Sequence, residues 1–310
     1  HRYQLCEGDA LDEEPVMYIG MDSHGLVQTA PRHVAESLLD LCCGSGVQGL
    51  VASRYSVCVV AVDLNPRAVR FARFNAQLNG IQNYEVRLGS LYEPIGQECF
   101  DVILANPPFV PSPEMGLKFR DGGVRGETVL REILSGADQH LNPDGRLCVV
   151  TDLVDAQRYP EKLVSWWGDG SFEALILTTA DRDEILFSVP HCHSPFGQSL
   201  EDYNNKLGIW INNFRNAMLE AVNFGYLLMW KCTSGQQSKV ISRIIHNPSS
   251  PMYLDVADWR DQQQLWHSSD ASEFYVSLHP DARLRHEHNP CGGESTFCLS
   301  VPGRDFFTSY

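Results

Sequence analysis

The sequence predicts an α/β protein: a seven-stranded, mostly parallel sheet flanked by helices, with a small C-terminal α+β appendage. Three observations predict it. Between Leu38 and about Thr151, short apolar runs alternate with helical patterns, the signature of βαβ units. With 310 residues, 43% of them hydrophobic and 20% charged, the chain can bury a full core and still carry a smaller companion domain. From about Thr233 the alternation stops.

The strand-like runs are Leu38–Cys43, Val57–Asp63, Tyr84–Leu88, Phe100–Ala105 and Arg146–Thr151. Helices are expected between them at Val47–Arg54, Pro66–Asn79 and Gly126–Leu141. The second has both ends marked. Asn65 can cap it, Pro66 suits a first turn where no amide hydrogen is needed, and Asn79-Gly80 stops it. A helix around Ala156–Trp167 and a strand at Phe172–Thr179 follow, and Gly225–Lys231 reads as the last strand. Before that strand lies an insertion at about 180–222, longer than a connection needs, with Trp210, Phe214, Ala217, Met218 and Ala221 on one helical face. The expected organisation is therefore an N-terminal segment 1–36, a sheet domain 37–232 and an α+β subdomain 233–310.

Composition narrows the function classes. The formal net charge is −15, which disfavours a nucleic-acid binder because phosphate contacts need clustered Lys and Arg. No run approaches the roughly 20 apolar residues that span a bilayer, so no membrane role is expected. Several of the ten cysteines sit inside apolar runs, as Cys58 and Cys148 do, which suits free thiols and a cytoplasmic setting.

The most informative stretch is Leu38-Leu39-Asp40-Leu41-Cys42-Cys43-Gly44-Ser45-Gly46-Val47-Gln48-Gly49. A strand runs into a small-residue turn and then a helix, so a ligand can lie against bare backbone and the helix start. Gly44 to Gly49 spells G-x-G-x-x-G, which alone also fits a nicotinamide or flavin site, or a plain tight turn. Asp40, at the strand end, is placed to meet a positive ligand group. Asp63 ends the next strand, where a carboxylate can accept both hydroxyls of a ribose.

This pair resembles the first two motifs of the class I S-adenosylmethionine-dependent methyltransferases, with Cys42 where the family usually has Gly. The resemblance covers roughly Leu38–Lys231 and implies a Rossmann-like sheet with S-adenosyl-L-methionine as cofactor. It implies that Asp40 lies near the amino group of the cofactor's methionine part. Cys42, Gly44 and Gly46 would pack on the cofactor, Asp63 and Leu64 would take the ribose, and Ser90 and Leu91 would stand at the adenine. Many relatives carry an acid where Ser90 stands. The N-terminal segment would cover the cofactor, with Gln28 or Thr29 as candidates beside the alternative of ordinary strand and turn positions.

The second informative stretch is Ala105-Asn106-Pro107-Pro108-Phe109 at the end of the fourth strand. Two prolines cannot continue a sheet, so they fix the loop and aim Asn106 into the crevice at the strand ends. A planar –NH₂ group can donate to the Asn106 carboxamide oxygen and to the Pro107 carbonyl oxygen, and Phe109 can lie against its flat face. The motif looks like the Asn-Pro-Pro-aromatic signature of amino- and amide-nitrogen methyltransferases, which act on adenine or guanine amines or on a protein glutamine amide. A nicotinamide dehydrogenase has no evident use for it.

The expected catalytic residues are thus Asn106, Pro107 and Phe109, with Asn106 also at the cofactor. The expected reaction is methyl transfer to an amino or amide nitrogen of a small molecule or protein side chain. Alternatives are a nucleic-acid amine methyltransferase, a natural-product O- or C-methyltransferase, and a cofactor-binding module without turnover. The loop Lys118–Glu127 carries three basic residues that can grip an anion or simply be solvated. His191-Cys192-His193 and His286-Glu287-His288 with Cys291 lack the paired spacing of metal sites, so no metal is expected. Trp166-Trp167 reads as core, and Arg67, Arg70 and Arg73 as a solvated helix face.

Overall fold

The computed structural model describes residues 15–114, 116–192, 197–232, 237–245, 251–268, 280–287 and 296–301. It divides into two compact units, His1–Leu26 with Val34–Ile244, and Val27–His33 with Ile245–Tyr310.

The first unit holds β1 (Ala35–Leu41), α2 (Val47–Ala52), β2 (Ser56–Asp63), α3 (Pro66–Leu78), β3 (Tyr84–Leu88), β4 (Phe100–Ala105), α4 (Thr128–His140) and β5 (Leu141–Val154). A short 3₁₀ turn at Ala156–Arg158 leads to α5 (Tyr159–Trp166), β6 (Phe172–Arg182), α6 (Glu184–Cys192), α7 (Leu200–Asn216), β7 (Val222–Lys231) and β8 (Lys239–Ile244). Helix α1 (Met21–Thr29) precedes β1. The sheet order is β3-β2-β1-β4-β5-β7-β6-β8. Neighbours from β3 to β5 are parallel, β7 runs antiparallel between β5 and β6, and β8 returns parallel to β6.

The sheet has eight strands rather than the seven expected, because β8 pairs with β6 inside the segment read as appendage. Its sequence hid it. An edge strand needs only one partner and one covered face, so Lys239, Ser242 and Arg243 break any apolar run. Central strands behave oppositely. Leu38, Leu39, Leu41, Val59, Val60 and Val102 are all buried, since helices cover both faces of a parallel sheet.

Local rules explain the helices. Asn65 accepts the Arg67 N–H at 2.9 Å and Pro66 opens α3, a cap worth about 1 kcal/mol. Leu130, Ile133, Leu134 and Ala137 form the buried stripe of α4 at helical spacing. Trp167 is fully buried beside Phe172, as core. Strand β5 starts five residues earlier than expected, because the turn-like Pro143-Asp144-Gly145 is absorbed as an irregularity with Asp144 at φ 59°.

The insertion forms α6 and α7, which pack Phe187, Cys192, Trp210, Phe214 and Ala217 into a satellite cluster with Val110, Val154 and Val222. Met218, expected on that face, is 81% exposed. Helix α7 stops at Asn216 and Met218 takes φ 52°, which swings it outward. In the second unit are α8 (Met252–Ser268) and an antiparallel hairpin of β9 (Arg283–Glu287) and β10 (Thr296–Ser300). There the Arg32 guanidinium lies 3.8 Å from the Tyr253 ring centre.

Candidate active site at the carboxyl ends of the strands

A cavity of about 450 Å³ opens where β1, β2, β3 and β4 end, the crevice where open α/β sheets bind ligands. Its floor includes Cys42, Gly44, Asp63, Leu64, Ser90, Leu91 and Asn106. Pro15–Tyr18 and Ser23 border it from the N-terminal side, and Lys118 and Phe119 from the loop after β4.

The glycine turn is built by division of labour. Gly44, at φ 54°, has open space where a Cβ would stand, so the cavity meets bare backbone there. Gly46, at φ 88°, faces the other way. A Cβ on it would lie 2.6 Å from the Tyr84 hydroxyl and 3.2 Å from the Ala72 Cβ, so this glycine serves packing of the turn on β3 and α3. It does not line the cavity. Cys42 holds the left-handed conformation at φ 56°, where the family's glycine would be free of strain.

Two carboxylates brace the turn. Asp63 accepts the Gly44 N–H through Oδ2 and the Asn65 N–H through Oδ1, both at 2.8 Å, while its side chain borders the cavity. Asp40 lies beneath the turn, fully buried, and accepts the Gly49 N–H at 2.8 Å through Oδ2. Its Oδ1 is buried without a hydrogen-bond partner. Burial pushes the Asp40 carboxyl up to about 7; the Gly49 bond opposes that and the Asp63 charge adds to it. The same burial, with both carboxylates nearby, pushes the Cys42 and Cys43 thiols up from their ordinary value.

In the Asn-Pro-Pro-Phe loop, Asn106 Nδ2 donates to Asp22 Oδ2 at 3.1 Å and to Ser23 Oγ at 3.2 Å, both from the first turn of α1. Pro108 borders the cavity and Pro107 is buried. Phe109 is not among the cavity-lining residues; its ring centre lies 6.2 Å from that of Phe224 and it joins the satellite cluster. Lys118 and Phe119 reach the cavity instead.

The basic loop folds back on this motif. Val110 donates to the Arg120 carbonyl and accepts from Gly122, at 2.9 and 3.0 Å. Arg125 pairs with Asp155 at 2.9 Å and Lys162 with Glu127 at 2.6 Å, which staples the loop to β5 and α5. Arg120 pairs with Asp121 at 2.6 Å. Two of the three basic residues are thus scaffold.

The N-terminal segment was expected over the cofactor, but Asp22, Ser23 and Pro15–Tyr18 were not singled out within it. Asp22-Ser23 before an apolar stretch is a helix-start signal, and reading it so would have found α1. Gln28 and Thr29 lie in the second unit. His191 stacks on Trp210 at 4.7 Å, and burial, with Arg120 and Arg182 nearby, lowers its pKa to about 4. His193, His288 and Cys291 lie outside the described residues. Among the described residues, no group of three or more His, Cys, Asp or Glu side chains is placed to hold a metal.

The residues fit S-adenosylmethionine. A bare-backbone cradle at Gly44, a carboxylate at Asp63 for ribose hydroxyls and a cavity of ligand size stand together at the strand ends.

Comparison with known proteins agrees. Residues 19–170 match the family model of the methyltransferase small domain. The ribosomal protein uL3 glutamine methyltransferase of Bradyrhizobium diazoefficiens is 34% identical over 198 residues, covering 54% of this chain and 61% of that protein. The release factor glutamine methyltransferase of Geobacter sulfurreducens is 29% identical over 169 residues, 50% of this chain and 59% of that protein. A ribosomal RNA small subunit methyltransferase C of Shigella flexneri is 29% identical over 153 residues, 48% of this chain and 40% of that protein. The chain therefore spans about three fifths or less of the length of these relatives. Over residues 19–170, just under half of its length, the chain is therefore similar to the methyltransferase small domain and to curated methyltransferases that carry it.

Proposed function

We propose that the protein methylates a side-chain amide nitrogen, with glutamine in a cytoplasmic protein partner as acceptor. One observation carries this reading: Asn106 borders the cavity with its –NH₂ tied back to α1, while no described residue donates to its Oδ1. An oxygen held in that way is an acceptor for an N–H of the substrate.

S-adenosylmethionine, when bound, supplies an activated methyl group. Asp63 and Leu64 would hold its ribose side, Gly44 and Cys42 would give it backbone to lie on, and Ser90 and Leu91 would border the base. Gly46 and Asp40 support that floor from below. Asn106 Oδ1 and the Pro107 carbonyl accept the two N–H bonds of the acceptor amide. Both oxygens would attract the positive charge that builds on the nitrogen as its bond to the methyl carbon forms and the methyl–sulfur bond breaks, and the surplus proton would leave along one of these hydrogen bonds to water. Much of the rate then comes from holding the amide in place, which fixed prolines do at little entropic cost. Phe119 forms the aromatic wall of the cavity, and Phe109 anchors the loop through Phe224.

The likeness to a ribosomal RNA methyltransferase favours a second reading, a base amine of RNA as acceptor. The net charge of −15 and the internal pairing of Arg120 and Arg125 oppose it. Methyl-labelled S-adenosylmethionine offered with release factors, ribosomal proteins or ribosomal RNA separately decides. We expect label in protein, recovered as N-methylglutamine, and Asn106→Ala should abolish it while cofactor affinity stays nearly unchanged. Label in RNA, on oxygen or on carbon, or cofactor binding without any product, would overturn the assignment.

A further inference from the structure

Asn106 is oriented by residues from far away in the sequence. Asp22 and Ser23, 84 and 83 positions earlier, take both hydrogen bonds described for its Nδ2. They are 7% and 5% exposed, so these contacts are shielded from water. The start of α1 is seated close to β7: a Cβ on Gly25 would collide with the Tyr226 hydroxyl, so only glycine allows that approach.

A carboxamide has two nearly isosteric orientations, and its neighbours decide between them. An ionised carboxylate only accepts hydrogen bonds. With Asp22 on one side, the –NH₂ must turn toward α1 and the oxygen toward the opposite side; the flipped amide would set oxygen against oxygen. Ser23 cannot select on its own, since a hydroxyl donates or accepts equally well.

We propose that Asp22, assisted by Ser23, is the positioning residue that sets the orientation of the Asn106 carboxamide and so presents Oδ1 to the methyl acceptor. This rests on the reading that Asn106 receives an acceptor N–H. Asp22 does not line the cavity, so it acts through Asn106.

The test has one readout that needs neither cofactor nor substrate. In protein labelled with ¹⁵N-asparagine, the Asn106 side-chain proton pair is assigned by its loss in Asn106→Ala. In the wild type it should be shifted from its free position and slow to exchange. Asp22→Asn and Asp22→Ala should both move it toward the free position, and Ser23→Ala should move it less. In turnover with a glutamine-containing protein acceptor, Asp22→Asn should lower kcat about 10- to 100-fold, with the Kd for S-adenosylmethionine within about twofold. Should the alanine variant fold poorly, the isosteric asparagine variant carries the test. An unmoved proton pair with unchanged kcat in a folded Asp22→Asn protein overturns the proposal. A moved pair in a protein that methylates no glutamine supports the orienting role and overturns only the acceptor assignment.

Discussion

Asp40 offers a quantitative test of how the glycine turn is braced. Its carboxyl is raised from the ordinary 3.8 to about 7, chiefly by burial. A carboxyl raised on folding lets the unfolded chain lose its proton first. Between about pH 4 and pH 7 the folded state therefore binds more protons, and stability falls as pH rises through that window. About three pH units at about 1.4 kcal/mol each give a loss on the order of 4 kcal/mol from this one group. Asp152, raised to about 6 by burial, adds a slope of the same sign. Asp40→Asn keeps an acceptor for the Gly49 N–H but cannot ionise. It also places an amide –NH₂ where Oδ1 had no partner, a penalty of about 1–3 kcal/mol at all pH values. The diagnostic is the difference between variant and wild type, in which Asp152 cancels. In urea unfolding of the cofactor-free protein, the variant should gain on the wild type by about 1.4 kcal/mol per pH unit from pH 5 to pH 7 and level off above. Parallel profiles would refute a carboxyl held neutral beneath the turn.

The other predictions concern the turn itself. Cys42→Gly removes a left-handed strain of about 1–2 kcal/mol and adds about 0.5–1 kcal/mol of chain entropy cost, so unfolding in urea should become harder by about 0.5–1 kcal/mol. Gly46→Ala should cost about 2–4 kcal/mol, because its left-handed backbone adds to the collision with Tyr84 and Ala72. Gly44→Ala should cost only about 1–2 kcal/mol but lose S-adenosylmethionine binding in calorimetry, since its methyl enters the space next to the cavity.

Strands buried on both faces announced themselves as apolar runs, which is why β2 and β4 fell within a residue of their expected limits. Edge strand β8 and the irregular start of β5 did not, because pairing rather than apolar content holds them. At the site, the sequence showed which residues end strands, so Asp63, Ser90 and Asn106 were found together at the cavity. Side-chain direction was less readable. Nothing in Asn-Pro-Pro-Phe says that Phe109 turns toward Phe224, because that depends on a cluster built by an insertion more than seventy residues later. The α1 contacts to Asn106 were hidden for the same reason, since a hydrogen bond across 84 residues leaves no local pattern.

On the proposed function, two tasks separate along the same cavity. Strand ends β1, β2 and β3 with the glycine turn form the cofactor side, and their bracing is internal: Asp63 to Gly44, Asp40 to Gly49. The acceptor side is braced from elsewhere, by α1 on Asn106 and by the Lys162–Glu127 and Arg125–Asp155 pairs on the loop folded over it. Ser23 belongs to both arrangements, lining the cavity while it accepts from Asn106, and Pro15–Tyr18 just before it border the same space. One short stretch of chain, 15–23, therefore borders the cavity and holds the Asn106 carboxamide. That is why damage to Asn106 or Asp22 alone should spare cofactor affinity, while displacing the stretch as a whole should weaken binding and turnover together.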